Sequence, residues 1–400
     1  MKLYSQNGFG EGMKVIEGLK NGYIDGAIIS PKDISSSQIE NKVGQYRQAK
    51  KDTELFFDPQ FYASLGMEAD GNRLGHLLED YNDYFALRRR SAFERESAVE
   101  SALEASLKYQ MSMPFLDGII APNILISKSI DSAEALIAKN FIRLAPEIYR
   151  KIGGKKPLLV TLAVSREAMD KDDFLEFTNE ITALETPPAG FYILLGARNT
   201  EDRSEIFNSK ILSYWMYLNY SLSVVNGFKV INGFSDLASP VLAAVGAFGG
   251  ATGWWSNLRT FSLSRFEPAM SGGHLPTPRY LSTKLINRIT FTEFDQLRRN
   301  VQGIVNSLTT DAEYPEDRGS EPYRNKEVLQ TWDALKNICA KINPGDTKKA
   351  LAELDQAINV AAISYAKIQA LGIQLEPKSG SDHLDAMSDS IKLFSSLAEL

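Results

Sequence analysis

The sequence is poor in cysteine and histidine, and each shortage removes a class of chemistry. A single cysteine, Cys339, cannot form an intrachain disulfide and gives no sign of secretion. Its flanks, ALKNICAKI, read as helix core without a basic cluster alongside, so the thiol is expected to be buried and structural. His76, His274 and His383 lie far apart, without metal-ligand spacing, which argues against a zinc site. No apolar run approaches the roughly 20 residues of a membrane span, and MKLYSQNGFGEG at the start lacks a signal-peptide stretch. The cytoplasm is the expected location. H-E-x-x-H, G-x-S-x-G, Walker A and a dinucleotide-binding glycine fingerprint are also missing, so the sequence points to no particular cofactor.

Excess positive charge is lacking too. The net charge of −6 disfavours a broad nucleic-acid surface, which needs clustered Lys and Arg. The dense run Arg88-Arg89-Arg90 is followed by Glu94, Glu96, Glu100 and Glu104, a pattern expected of a solvated helix face.

What is present is alternation. Short apolar or β-branched runs at 23–30, 54–58, 117–126, 157–164, 190–197, 227–234 and 251–255 are separated by longer amphipathic stretches, the pattern of parallel strands joined by helices. Seven strands at such spacing predict an α/β fold, a (β/α)8 TIM-type barrel irregular at its last strand. Segment 259–266 follows the seventh run too closely for a parallel crossover, so PRYLSTKLI (278–286) is expected to close the barrel. The expected domains are a barrel over 1–288, with a long helical excursion at about 66–113, and an all-helical region over 289–400.

In such a barrel, functional side chains sit where strands end. Asp58, in FFDPQFY, is the candidate catalytic carboxylate, because emergence from a buried strand raises a carboxyl pKa toward acid or base work. An equally available role is to cap the turn at Pro59. Candidate ligand-binding residues are Lys32, Gln60, Asn123, Asn232, Trp254, Trp255, Asn257, Arg259 and Arg279. Arginine forks suit carboxylate or phosphate, and Arg259 and Arg279 rank above Arg166, Arg198 and Arg265 because fewer acidic residues flank them in sequence. Asp33 or Ser35, and Ser235 or Asp236, read as helix caps; Asp25 and Asp117 lie at strand starts, the face that serves stability.

The glycines of VGAFGGATGWW read as a helix-to-strand corner rather than a phosphate loop, and in a strand the two tryptophans would face opposite sides. The function expected from the sequence is a barrel transferase or hydrolase acting on a small anionic, nucleotide-like ligand at the strand C-terminal rim. The alternative is a non-catalytic barrel serving as an interaction subunit, with a protein partner or a second copy docked on the helical C-terminal region.

Overall fold

The computed structural model describes residues 1–65, 73–170, 173–267, 276–305, 308–315, 324–342 and 345–400; His274 lies outside them. The barrel strands are β1 (Lys2–Gln6), β2 (Gly26–Ile29), β3 (Glu54–Phe57), β4 (Ile119–Ala121), β6 (Leu158–Ser165), β7 (Gly190–Gly196), β8 (Lys229–Gly233) and β9 (Gly249–Thr252). A short β5 (Leu125–Ile126) follows β4 and pairs with the far end of β6. The ladders run β3-β2-β1-β9-β8-β7-β6-β4 and are all parallel. This is a nearly closed eight-stranded α/β barrel. Its seam lies between β3 and β4, where Asp117 donates its N–H to the Leu55 carbonyl at 2.9 Å and takes the Leu55 N–H on Oδ2 at 2.8 Å.

The eighth strand corrects the expectation. Segment 278–286 does not close the barrel; closure falls to β1, which pairs Lys2 with Gly249 and Tyr4 with Ala251 on one side and Tyr4 with Gly26 on the other. β1 carries buried Ser5 and Gln6 instead of an unbroken apolar run, so hydrophobic patterning passes over it. Residues 279–290 form an antiparallel hairpin, β10 (Arg279–Ser282) and β11 (Asn287–Thr290), apart from the barrel.

Helices α1 (Lys14–Lys20), α2 (Ile39–Ala49), α3 (Glu96–Met111), α4 (Ala133–Lys151), α5 (Arg166–Met169), α6 (Phe174–Thr182), α7 (Arg203–Ile206), α8 (Ser209–Tyr220) and α9 (Ser239–Ala244) join the strands. In the excursion after β3, the described residues before Glu96 form 3-10 turns at Phe61–Leu65, Gly75–Leu77 and Arg90–Phe93, and the α-helix begins only at Glu96. Side chains explain why. Tyr81 donates to the Ile34 carbonyl at 2.7 Å and Tyr84 to the Pro59 carbonyl at 3.2 Å, and both rings pack with Phe57 and Tyr109.

α9 is only six residues long and leaves its sector of the outer layer thin. Four C-terminal helices follow, α10 (Phe291–Asn300), α11 (Arg324–Ala340), α12 (Thr347–Ala370) and α13 (Asp382–Leu397), and α11 and α12 cover it. α11 packs on α1 and α9, α12 on α9, and α13 on α8. Trp332 of α11 is fully buried, and a Cβ on Gly18 would stand 2.8 Å from its ring, so glycine is what lets α1 approach. Cys339, on the same helix, is buried as expected, and burial pushes its thiol up to about 12.

Candidate functional site

The loops leaving β7, β8 and β9 bound a cavity of about 590 Å³ whose opposite wall comes from the β10–β11 hairpin, Glu327 of α11 and Lys378. It lies beyond the C-terminal ends of the sixth to eighth barrel strands, where barrels commonly place ligand and phosphate sites.

The loop after β8 is built under strain. Phe234 has φ 54° and Asp236 φ 38°, so two of three consecutive non-glycine residues occupy the left-handed region, and all three line the cavity. Such residues persist only where surroundings over-determine them, and they cluster at functional sites. Here the determinant is Arg288 of β11. Its two terminal nitrogens donate to Asp236 Oδ2 and Oδ1 at 2.7 Å each, and the Thr252 hydroxyl donates to Oδ1 at 2.7 Å. Burial pushes the Asp236 carboxyl up, but Arg288 outweighs it and holds the group below the ordinary range. Asp236 is therefore not the helix cap expected from sequence, because its side chain bonds no backbone N–H of the following turn.

The remaining cations of the wall also face acids. Arg203 pairs with Asp382 at 2.7 Å, Arg259 with buried Glu327 at 3.7 Å, and Arg279 with Glu376; Lys378 pairs with Glu201. Arg166 differs, with 8% of its surface exposed and, among the described residues, hydrogen bonds only to the carbonyls of Glu205 and Ile206. Phe207, Trp215, Phe234 and Trp254 add apolar surface to the wall.

Three of the candidate ligand-binding residues thus meet here: Trp254, Arg259 and Arg279. Trp255 and Asn257 lie in the same loop without lining the cavity. β9 ends at Thr252, so the two tryptophans do not alternate across a strand; both indoles donate to the Phe9 carbonyl, at 2.8 and 3.0 Å. The glycines before them do form a corner. Gly246 has φ 89° after α9, and a Cβ on Gly253 would meet the Gln6 carbonyl at 2.7 Å.

Asp58, Lys32 and Gln60 form a second group, over β2 and β3 and away from the cavity. Asp58 is buried and accepts from Gln60 N–H at 3.0 Å, Tyr62 at 2.9 Å and Tyr192 at 3.3 Å. Burial pushes its carboxyl up to about 6 against those donors. Gln60, at φ 53°, accepts the Lys32 N–H at 3.0 Å and donates to Ser30 at 2.8 Å. Burial holds the Lys32 amine below its ordinary range, with Asp33 pulling the other way. Asp33 bonds Ser30 and Arg265, both at 2.8 Å, and caps no helix; Ser35 makes no capping bond either.

The segment after β9 folds over this group. Gly196 bridges to Phe261, while Phe261 and Phe266 pack on Tyr62 with ring centres 4.8 and 6.0 Å apart.

Asn123 and Asn232 are buried in other bonds. Asn123 donates to the Thr161 carbonyl at 2.8 Å, and Asn232 accepts from Trp215 and exchanges bonds with Asn219. Asp25 and Asp117 hold strand starts, Asp25 taking the Leu3 N–H at 3.0 Å.

Sequence reasoning missed Glu201, Arg203, Arg288, Glu327 and Lys378, which arrive from elements distant in the chain. The one available signal, polar and aromatic residues at strand ends, reached Arg166, Ser235, Asp236, Trp254 and Arg259 but not these partners.

Among the described residues no group of three His, Cys, Asp or Glu side chains is placed to hold a metal ion. No helix among them is long and apolar enough to cross a membrane. No protein-family model matches the sequence, and no curated protein does. Among solved structures, a glycosyl hydrolase of the GH3 family from Mycobacterium smegmatis is similar at 10% identity, with 62% of this chain, 82% of that one and a TM-score of 0.36. The carboxyl transferase domain of Rhizobium etli pyruvate carboxylase with 3-hydroxypyruvate is similar at 11% identity, with 98% of this chain, 56% of that one and a TM-score of 0.34. Likeness at this level carries no argument about what the chain does.

Proposed function

We propose that the protein is a barrel enzyme, a transferase or hydrolase, that binds a small anionic ligand in the cavity beyond β7, β8 and β9. The observation that carries this reading is the wall itself: Arg166, Arg203, Arg259, Arg279, Arg288 and Lys378 against Glu201, Asp236 and Glu327. Among the lining residues cations outnumber carboxylates two to one, with Asp382 and Glu376 pairing two of the cations from outside the lining, in a chain whose net charge is −6. A focused positive field of that kind draws anions. The cavity's volume of about 590 Å³ falls within the roughly 300–1,000 Å³ typical of small-molecule sites.

In this reading Arg259 and Arg279 help hold the anion together with the other cations of the wall, and the aromatic wall supports a ring, which suits a nucleotide-like molecule. Asp236, kept ionised by Arg288 on a strained loop, is the cavity's candidate nucleophile, and its pKa, held below the ordinary range, makes it too weak a base for proton abstraction. Asp58 is the second candidate, since a carboxyl titrating at about 6 suits proton transfer near neutrality. It would act only with the 259–266 segment displaced from Tyr62.

The test is ligand-induced stabilisation of the whole chain by sugar phosphates, nucleotides and organic acids, repeated on R259A and R279A. A ligand at one hundred times its Kd should add about 2.7 kcal/mol of stability, and both variants should lose most of it. No response to any anion would sink the reading. The alternative, a non-catalytic interaction subunit, draws on Val360, Ile363 and Leu371, which are exposed on one side of α12 and its end. Light scattering of the full chain tests it, because a persistently monomeric protein that captures no partner counts against docking there.

A further inference from the structure

We infer that Arg166 is the docking point for the ligand's anionic group, a carboxylate or phosphate monoester carried on an apolar or aromatic body. This rests on the cavity being a ligand site, and adds which cation reads the ligand and through which atoms.

Every other cation of the cavity wall faces a carboxylate, Arg288 gripping Asp236 through both terminal nitrogens. Arg166 lines the same cavity, is more than nine-tenths buried, and forms no ion pair among the described residues. Glu205, the acid whose charge acts on it, is already committed: its two oxygens accept the N–H groups of Arg198 at 2.6 Å and Asn199 at 3.0 Å. Arg166 makes its hydrogen bonds through Nη1 alone, to the carbonyls of Glu205 at 3.1 Å and Ile206 at 3.2 Å. Its Nε is buried with no partner, and Nη2 makes no hydrogen bond among the described residues. Nε and Nη2 share one edge of the guanidinium, the edge that grips both oxygens of a carboxylate or phosphate in a fork.

A buried cation without a counter-ion is costly, and burial drags the Arg166 pKa down to about 10 against the pull of Glu205. Among the described residues no carboxylate pairs with that charge, as one does for each neighbour. An incoming anion would compensate it. Beside Arg166, Phe207, Trp215 and Phe234 supply the surface for an apolar body.

The probes are benzoate and phenyl phosphate, with benzamide as the uncharged mimic of benzoate. Binding to the full chain is read by tryptophan fluorescence, because Trp215 and Trp254 line the cavity, and by the Arg166 Nε–H signal in a 15N–1H spectrum. At least one anion should bind and shift that signal, and the tighter of the two tells carboxylate from phosphate. Benzamide should bind roughly 10- to 150-fold more weakly than benzoate, the range expected for a hydrogen bond to a charged group. R166Q should lose a similar factor toward the preferred anion, and R166K, charged but without the fork, should recover only part.

Binding of an anion to R166Q as tightly as to the parent, with R259A or R279A losing it, would reject Arg166 and leave the cavity reading standing. Failure of both anions to bind the parent protein would overturn the two together. Should R166Q not fold, the benzoate-to-benzamide ratio and the Nε–H signal of the parent protein decide: an unmoved signal on saturation rejects the inference.

Discussion

The indole of Trp332 donates to the Thr252 carbonyl at 3.2 Å, so a side chain of α11 completes the hydrogen bonding of the last barrel strand. The same ring lies edge-on to Trp254, 6.5 Å between centres, and against Gly18 of α1. W332A should therefore cost about 3–5 kcal/mol, the range for a large aromatic removed from a core. A chain ending at residue 289 should lose cooperative unfolding in urea altogether. If that truncated chain melts cooperatively, the helices after Thr290 are an independent unit and the coupling argued from Trp332 is wrong.

Removing one partner of the Asp236–Arg288 pair should be worse than removing both. D236A leaves a buried guanidinium unpaired and should cost about 3–5 kcal/mol. Joining it to R288M should recover much of that loss, because no charge is then stranded. A double-mutant cycle from denaturant titrations measures the coupling, and additive losses would show that the pair does not hold the loop.

Asp58 gives an acid-side signature. Its carboxyl titrates at about 6 in the folded protein against 3.8 ordinarily, so the fold favours the protonated form. The stability this group contributes is complete below pH 3.8 and is lost as pH rises through 6. The loss amounts to about 3 kcal/mol at 1.36 kcal/mol per unit. D58N should remove that slope, and stability curves of parent and variant that stay parallel from pH 4 to pH 7 would contradict it.

His383 should act in the opposite sense over part of the same window. Its imidazole is buried, with Nε2 3.2 Å from the Leu285 carbonyl and Nδ1 3.3 Å from Arg203 Nη2. Burial first, and Arg203 next, push its pKa from 6.5 down to about 4, because a proton on Nδ1 would face the guanidinium. Stability from this group is full above pH 6.5 and is lost as pH falls toward 4, again by about 3 kcal/mol. H383Q should flatten that limb. A variant as acid-sensitive as its parent would show that His383 titrates normally.

Much of the barrel could be read in the sequence because its strands bury both faces. GAII, ELFF, LLVTLAVS and GFYILLG stand out as apolar runs, since helices on one side and a packed lumen on the other leave no place for alternation. KLYSQ escaped for the same physical reason inverted: Ser5 and Gln6 are fully buried polar residues, and no hydrophobic pattern announces them.

The site was less legible. Sequence placed Arg259 and Arg279 at the rim, but ranking arginines by acidic neighbours in the chain proved a poor guide to charge. Both have carboxylates from Glu327 and Glu376, 68 and 97 residues away respectively, whereas Arg166 sits directly before Glu167 and forms no ion pair with it among the described residues. Asp236 looked like a cap because its partner, Arg288, lies on a hairpin that no local signal ties to β8.

The position of β1 between β2 and β9 bears on how the chain acquires its shape. Lys2 and Gly249 must find one another across almost 250 residues, while the seam lies between β3 and β4, consecutive in order. During synthesis the first strand has β2 on one flank almost at once, but its other edge stays open until β9 leaves the ribosome. Such late, long-range pairing slows folding and exposes an unpaired edge for its duration. Ser5 and Gln6 make that waiting edge less sticky than an apolar strand would be.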